Sequence, residues 1–583
     1  MSLPLIAELK RRRVFRALVG YGIAAFAILQ IIEPVMHGLH WPDVVLSYVV
    51  VALALGFPIV VGVAWIFDVN EGRIERTAGK PAGARMRLLL VAIGVLAATP
   101  GLGWYFFLRG RSAAVAPTAD AVAPQADAGP SIAVLPLLNL SSDKEQEYFS
   151  DGLSEELLNL LAKVPGLRVA ARTSAFAFKG KNEDVSEIGR KLHVSTILEG
   201  SVRKSGDQIR ITTQLVNAPD GYHLWSETYD RKLTDVFAVQ DEIARAVVAV
   251  LKLKLLQVPS SIDRKTANPE AYNQFLLGRQ FFLRNNVDGF RRSLQAFEKS
   301  TALDPGYAPA WAALAVAGFW VADASESLPA VLSGQDHALA AAEKAIALAP
   351  ELPDGYVARG LLRVPVRWDW QGANKDLQRA LELKPDDPDT LQVYGSVVLR
   401  GLNRLPQANA ALRKAAALDP LNPRIWSALG GVLTLQGENA AAREALQRSL
   451  ELSPEQSFTQ YNLGVTYLLE GQPATALETS QRSTLEVFRL AGTALAQHDL
   501  GQLGPAQAAL DEIISKWPHA AAYQIAQVYS WWGDKDRAFE WLERARAQRD
   551  GGLVLVKPDL LLRSLRADPR YATLLKELNL PAD

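Results

Sequence analysis

Two short patterns, Ser141 to Lys144 and Ser201 to Lys204, set a hydroxyl three residues ahead of an amine, the spacing with which some acyl-transfer enzymes activate a serine nucleophile. That chemistry needs a helix to bring both side chains together, and here one pair falls in a loop and the other on a strand. His37 and His40, in "HGLH", have metal-ligand side chains but no third ligand nearby. In "SDGLSEEL", Asp151, Glu155 and Glu156 form a carboxylate cluster that fits acid–base work in type. Acids beside a helix start also interact favourably with the helix dipole and need no catalytic purpose. No phosphate-binding P-loop, HExxH, GxSxG or dinucleotide glycine pattern occurs, the seven histidines are scattered, and cysteine is absent, which removes thiolate catalysis, thiolate metal sites and disulfides. The sequence therefore predicts no catalytic residue, no cofactor and no metal, and a non-enzymatic protein.

At 583 residues the chain is long enough for several cores. Lysine plus arginine equals aspartate plus glutamate at 62 each, a balance that argues against a nucleic-acid partner. The first 111 residues read as a membrane anchor with three transmembrane α-helices at 14–35, 44–67 and 88–108, each near the roughly 20 apolar residues a bilayer requires. Five basic residues (Lys10, Arg11, Arg12, Arg13, Arg16) precede the first span, and five more (Arg73, Arg76, Lys80, Arg85, Arg87) occupy the loop after the second. The turn 36–43 has no lysine or arginine, and only Arg109 and Arg111 follow the third span before Lys144. Positive charge stays on the cytoplasmic side. The expected topology is a multi-pass bacterial inner-membrane protein with a cytoplasmic N-terminus and a periplasmic remainder after residue 108. Glu33, beside Pro34, falls at the outer interface of the first span, where water reaches it. Residues 112–130, with eight alanines and three prolines, cannot bury a core and read as a linker.

From 131 to 257 the pattern changes. "SIAVLPL" suits a buried strand, "EYFSDGLSEELLNLLAKV" has helical spacing of leucines, and "LRVAA" reads as a second strand. Period-two alternation then puts Ile209, Ile211, Thr213 and Leu215 on one face, with turns at Ser205-Gly206-Asp207 and Pro219-Asp220-Gly221, and a helix from Asp235 to about Leu256 closes a small α/β domain. The run from Ser131 to Lys181, together with "ILEGSVRKSGDQIRITTQLVNAPDGYHLWSETYDR", resembles the TolB amino-terminal-like (FlgO-like) domain of bacterial membrane-bound regulators. In those relatives the domain commonly links an output module, such as a cyclase, winged helix or kinase, to a tetratricopeptide array. Here membrane spans occupy the output position.

Residues 268–550 repeat. Helix-ending prolines at 305, 350, 385, 420 and 454 are 45, 35, 35 and 34 apart, preceded by small–bulky–small triplets such as Ala373-Leu377-Ala380, Ala408-Leu412-Ala415 and Ala442-Leu446-Ser449. The second copy has a long insertion between its helices, and residues 551–583 read as a capping helix pair. The copy "PRIWSALGGVLTLQGENAAAREALQRSLELSP" resembles the tetratricopeptide repeat (TPR), and about eight copies fit. The fold class is thus multidomain: three membrane helices, a small α/β domain and an all-α tetratricopeptide solenoid. Stacked repeats leave a concave groove. The resemblance nominates Gln392, Arg400, Arg424, Ser427, Thr434, Tyr461, Tyr523 and Trp531 as groove positions for a protein or peptide partner. Tyr461 and Trp531 fit inter-repeat core equally well, and the arginines fit solvated charge. Two functional readings follow: a scaffold or adaptor binding a partner in the cell envelope, or a sensory component passing a signal through its membrane helices.

Overall fold

The computed structural model describes residues 67–70, 73–76 and 129–581, apart from residues 142, 144–145, 233–234, 252–265, 267, 285 and 326. The expected membrane spans lie outside these residues, save Phe67 at the end of the second, as do Glu33, His37, His40 and most of the linker. Among the described residues no helix is long and apolar enough to cross a membrane. Within the basic loop, β1 (Phe67–Asn70) and β2 (Arg73–Arg76) form an antiparallel hairpin with Phe67 opposite Arg76.

Residues 127–583 form one compact unit. Its sheet begins with β3 (Ser131–Val134) and β4 (Leu138–Asn139), followed by α1 (Glu147–Leu161), β5 (Arg168–Val169), α2 (Arg172–Phe176) and α3 (Val185–Leu192). The long strands β6 (Thr196–Ser205), β7 (Gln208–Asn217) and β8 (His223–Lys232) come next, and α4 (Val236–Val250) follows. The strand order is β5-β3-β6-β7-β8, with β4 also paired to β6. β3 runs parallel to β5 and β6, and the last three strands are an antiparallel meander. Gly206, at φ +60°, supplies the positive φ that the two-residue β6–β7 hairpin demands.

Alternation along the strands builds two apolar layers. Ile132, Val134, Leu198, Ile211 and Leu215 face α1 and α4, while Ala133, Leu135 and Ile197 face Phe178, Ile188 and Leu192 on the other side. Ile209, Ile211, Thr213 and Leu215 are all buried, as their shared face requires.

The rest of the unit is a solenoid of antiparallel helix pairs. The first four pairs are α5 (Pro269–Phe282) with α6 (Val287–Leu303), α7 (Ala308–Asp323) with α8 (Leu328–Leu348), α9 (Pro353–Arg367) with α10 (Trp370–Leu383), and α11 (Pro388–Val393), continued by a π turn (Tyr394–Leu399), with α12 (Leu405–Leu418). The next four are α13 (Pro423–Gln436) with α14 (Asn439–Leu452), α15 (Ser457–Leu469) with α16 (Pro473–Gln481), α17 (Glu486–Asp499) with α18 (Leu503–Lys516), and α19 (Ala522–Trp532) with α20 (Lys535–Ala547). The small–bulky–small triplets explain the pairing. A Cβ on Gly430 would come within 2.5 Å of Leu446, and one on Gly360 or Gly395 within 2.8 Å of Leu377 or Leu412. Each glycine is the gap into which the facing bulky side chain fits, so the two backbones can approach.

Two expectations need correction. The second pair has no long insertion between its helices, because the extra residues lengthen α8 to 21 residues. The chain end is not a helix pair: 3-10 turns at Gly551–Leu555 and Arg563–Leu565 precede a single helix, α21 (Pro569–Glu577). Pro558, Pro569 and Gly551-Gly552 limit regular helix there.

The sheet and the solenoid share a core. Tyr272, Phe275 and Leu276 of α5 belong to the same apolar cluster as Leu153 and Leu157 of α1. A Cβ on Gly152 would lie 2.4 Å from Leu276 Cδ2, so α1 and α5 meet at close range. Glu155 is ion-paired with Arg172 Nε at 2.9 Å, and across this junction it accepts from Arg279 Nη2. Farther along, the solenoid returns to the sheet domain. Asp419 Oδ1 accepts from Ser174 N at 2.9 Å and Ser174 Oγ at 2.5 Å, and that hydroxyl accepts from Leu421 N at 2.9 Å.

Candidate partner-binding groove

The chain fills much of its own concave side. Trp370 Nε1 donates to Leu578 O at 2.8 Å, and Arg549 pairs with Asp336 at 3.0 Å, so the residues after α20 reach back to the second and third helix pairs. Leu553, Val556, Leu561, Leu562 and Leu565 are buried by this return, in one cluster with Tyr461, Ala491, Tyr523 and Ala526.

That cover decides the fate of the nominated groove residues. Ser427, Thr434, Tyr461 and Tyr523 are buried. Ser427 Oγ accepts from Thr459 Oγ1 at 2.8 Å, and Thr434 Oγ1 donates to Gly430 O at 3.0 Å and lies 2.9 Å from Thr466 Oγ1. Tyr523 Oη donates to Asp559 Oδ2 at 2.6 Å, and Tyr461 Oη donates to Gln527 Oε1 at 3.1 Å. Ser427 and Tyr523 therefore hold helices and the chain end together rather than face a partner. Gln392 is partly buried and donates to Ser396 Oγ at 3.1 Å. Arg424 is exposed, with Asp389 Oδ1 3.9 Å from its Nη2, which is the solvated-charge alternative. Trp531 is partly buried, with Nε1 donating to Asp499 Oδ1 at 3.0 Å and Arg563 over its ring at 5.2 Å.

Arg400, Thr434 and Tyr461 come together around one cavity of about 60 Å³, alongside Gly431, Asn462, Gln527 and Asp559. Arg400 follows the π turn directly, a local widening of the helix often found at functional positions. Its Nε and the Nδ2 of Asn462 are closed off from solvent without a hydrogen-bond partner. Burial pushes the Arg400 pKa down to about 10. Burial pushes the Asp559 carboxyl up, against the donors Tyr523, Gln527 and Leu561 N–H. Asn462, Gln527 and Asp559 were not legible as site residues, since each comes from a different part of the array. Only the neighbour relation of Asn462 to Tyr461 hinted at it.

The candidate catalytic pairs come apart. Ser201 and Lys204 lie on β6 an odd number of residues apart and so point to opposite faces, and Lys204 Nζ instead donates to Gln146 Oε1 at 3.2 Å. Ser141 Oγ accepts from Lys204 N at 2.9 Å, and Lys144 lies outside the described residues. The carboxylates of "SDGLSEEL" sit beyond the first turn of α1, so the dipole does not account for them. Asp151 bonds Lys179 Nζ at 2.6 Å, and Glu155 joins the two arginines at the domain junction. Among the described residues no group of three His, Asp or Glu side chains could hold a metal ion.

No protein-family model matches the chain. Over 195 residues it is 44% identical to "Putative adenylate cyclase 3" of Rhizobium meliloti, covering 33% of each chain. Over 91 residues it is 33% identical to protein O-mannosyl-transferase TMTC1 of Mus musculus, covering 15% of this chain and 10% of that one. The chain therefore spans a third or less of the length of these relatives. Among solved structures it is similar to PilF of Pseudomonas aeruginosa (18% identity, TM-score 0.30, 38% of this chain and 96% of that one). It is also similar to a thermophilic TPR protein of Thermus thermophilus (21% identity, TM-score 0.29, 34% and 99%). By its own helix pairs and their glycine–leucine contacts, residues 269–547 are a tetratricopeptide-like solenoid, joined to a small mixed-sheet domain.

Proposed function

We propose that this chain is a non-enzymatic, membrane-anchored adaptor that holds a protein or peptide partner on the inner side of its helical array, in the periplasm of a bacterium. The observation that carries the reading is the cavity at Arg400: hydrogen-bond donors stand there unanswered by the chain, whereas the other nominated polar side chains, exposed Arg424 apart, bond within it. The alternation of basic residues around the expected spans supports the anchor and its direction. The TolB amino-terminal-like assignment of residues 131–257 belongs to the same proposal, supported by the strand and helix order of the quoted motifs.

The test is affinity capture from envelope extract with the full chain and with Arg400→Ala as baits, alongside a phosphatase fusion at residue 130. Partners lost with the variant and an active periplasmic phosphatase are the expected results. Identical captures at identical yield refute the groove assignment, and an inactive phosphatase refutes the topology.

A second reading, a sensory component passing a signal through the membrane helices, is favoured by the relative named as a cyclase. Crosslinking from the loop 68–87 to a cytoplasmic enzyme selects it over the adaptor.

A further inference from the structure

The cavity at Arg400 holds two buried donors, one on a guanidinium and one on an amide, that no hydrogen bond answers. Gly431 lies on its wall: a Cβ there would sit 3.2 Å from Arg400 Nη1 and 3.8 Å from Asn462 Nδ2. The two side chains, from neighbouring first helices on either side of α13, thus converge over a position with no side chain of its own. Neither Arg400 Nε nor Asn462 Nδ2 has a partner.

The opposite wall gives them no hydrogen bond, although the Asp559 carboxylate acts on Arg400 through space. Asp559 Oδ2 accepts from Tyr523 Oη and Gln527 Nε2, each at 2.6 Å, and Oδ1 accepts from Leu561 N at 2.8 Å. Gln527 Oε1 is taken by Tyr461 Oη. Apart from Thr434, whose hydroxyl donates to Gly430 O, the remaining lining, Leu435, Val465, Leu469, Leu555, Leu560 and Leu561, has apolar side chains.

A guanidinium, an amide and an apolar floor describe a receptor for a carboxylate on a short hydrocarbon stem. Water satisfies an amide but carries no charge, and Asp559, the carboxylate that acts on Arg400 through space, is held by its own donors on the far wall, so a ligand carboxylate adds the hydrogen-bonded counter-charge that neither supplies. At roughly 10–15 Å³ per water, the cavity of about 60 Å³ has room for about four to six waters, or one carboxylate with a carbon or two behind it. Arg400 keeps part of its surface exposed, which leaves a way in.

We propose that Arg400 and Asn462, converging over Gly431, form a carboxylate-binding subsite. Its occupant is either the acidic side chain of a peptide lying in the groove or a free short-chain carboxylic acid. Only the peptide source rests on the groove reading above.

The test uses the full chain and sodium propionate at constant ionic strength, followed by ligand-observed saturation-transfer NMR, with propionamide as the uncharged control. Gly431→Ala fills the cradle at a helical position that tolerates alanine. Gly504→Ala, with nothing within 4 Å of its new Cβ, is the matched control. The expected result is propionate binding by the native chain and Gly504→Ala, weakened at least tenfold in Gly431→Ala and in Arg400→Gln, with no propionamide signal. Propionamide binding as well as propionate, or undiminished binding in a folded Gly431→Ala protein, overturns the proposal.

A second arm compares acetyl-Ala-Leu-Glu-Leu-Ala-amide with its glutamine counterpart. A glutamate preference lost in Gly431→Ala assigns the subsite to a peptide side chain. Propionate binding with no peptide binding supports the subsite, assigns it to a free acid and counts against the peptide groove. Equal binding of both peptides without propionate binding overturns the subsite and leaves the groove standing.

Discussion

Glu155 offers the sharpest test of how the sheet domain is joined to the solenoid. It is 7% exposed and links α1 to α2 through Arg172 and to α5 through Arg279. Removing one member of a fully buried ion pair costs about 3–5 kcal/mol, because its partner is left uncompensated. The arginine side chains are 19% and 33% exposed and can recover part of their hydration, so Glu155→Gln should cost about 2–3 kcal/mol at the junction. A chain with this many modules does not unfold in two states, which makes a single melting temperature a poor readout. Hydrogen exchange followed by mass spectrometry on the full chain resolves the junction: peptides from 147–161 and 269–282 should exchange about 30–150 times faster in the variant, while 423–436 stays unchanged.

The pH dependence has a definite sign. Burial by itself would raise the Glu155 pKa, but the guanidiniums of Arg172 and Arg279 outweigh it and hold the carboxyl below its ordinary value. The stabilisation is then fully present above the unfolded value of about 4.3 and disappears as pH falls through the lower folded value. Equal exchange of 147–161 in both proteins at pH 7 would refute the reasoning, as would a difference that persists unchanged below the folded pKa.

Four further predictions follow from the packing. Gly430→Ala drives a Cβ to within 2.5 Å of Leu446, and the overpacking of about 1–3 kcal/mol exceeds the gain in helix propensity of up to about 1, so hydrogen exchange should quicken in peptides from 423–436 and 439–452, whereas Gly504→Ala should leave exchange in 503–516 unchanged or slow it. Tyr523→Phe removes a donor from buried Asp559 and should cost about 1–3 kcal/mol locally, read as faster hydrogen exchange in peptides from 522–532 and 551–565 with 269–282 unchanged. Asp419→Ala leaves Ser174 N–H and Oγ without their acceptor, so limited proteolysis should cut faster within residues 172–183 and not within 439–452. Ending the chain at residue 550 strips the cover from Tyr523 and Ser530 and should increase binding of an apolar-surface dye several-fold; an unchanged dye signal contradicts the assignment of 551–580 to the concave side.

Much of the architecture was legible because local chemistry determines it. Period-two alternation in Ile209, Ile211, Thr213 and Leu215 requires a strand with one buried face, and Gly206 requires a turn. The glycine and the small–bulky–small triplets, set about 34 residues apart, require paired helices, since each partner's shape is written within one repeat. The sequence also carries the apolar runs and basic loops from which the anchor is proposed.

What the repeat pattern does not contain is the path of the whole array. Its curvature is the sum of small rotations between successive pairs, and that sum brings Asp419 to Ser174 and Leu578 to Trp370 across more than 200 residues of sequence. For this reason Tyr523 and Ser427, which local offsets assign to an open groove, are instead bonded inside the protein. The same long-range geometry collects Arg400, Gly431 and Asn462 from three helices and Asp559 from the returning chain end. Sequence alone determined the modules and their pairing; tertiary structure decided which polar side chains were satisfied by the chain and which were left facing a cavity, because hydrogen-bond partners distant in sequence meet only after the solenoid has curved.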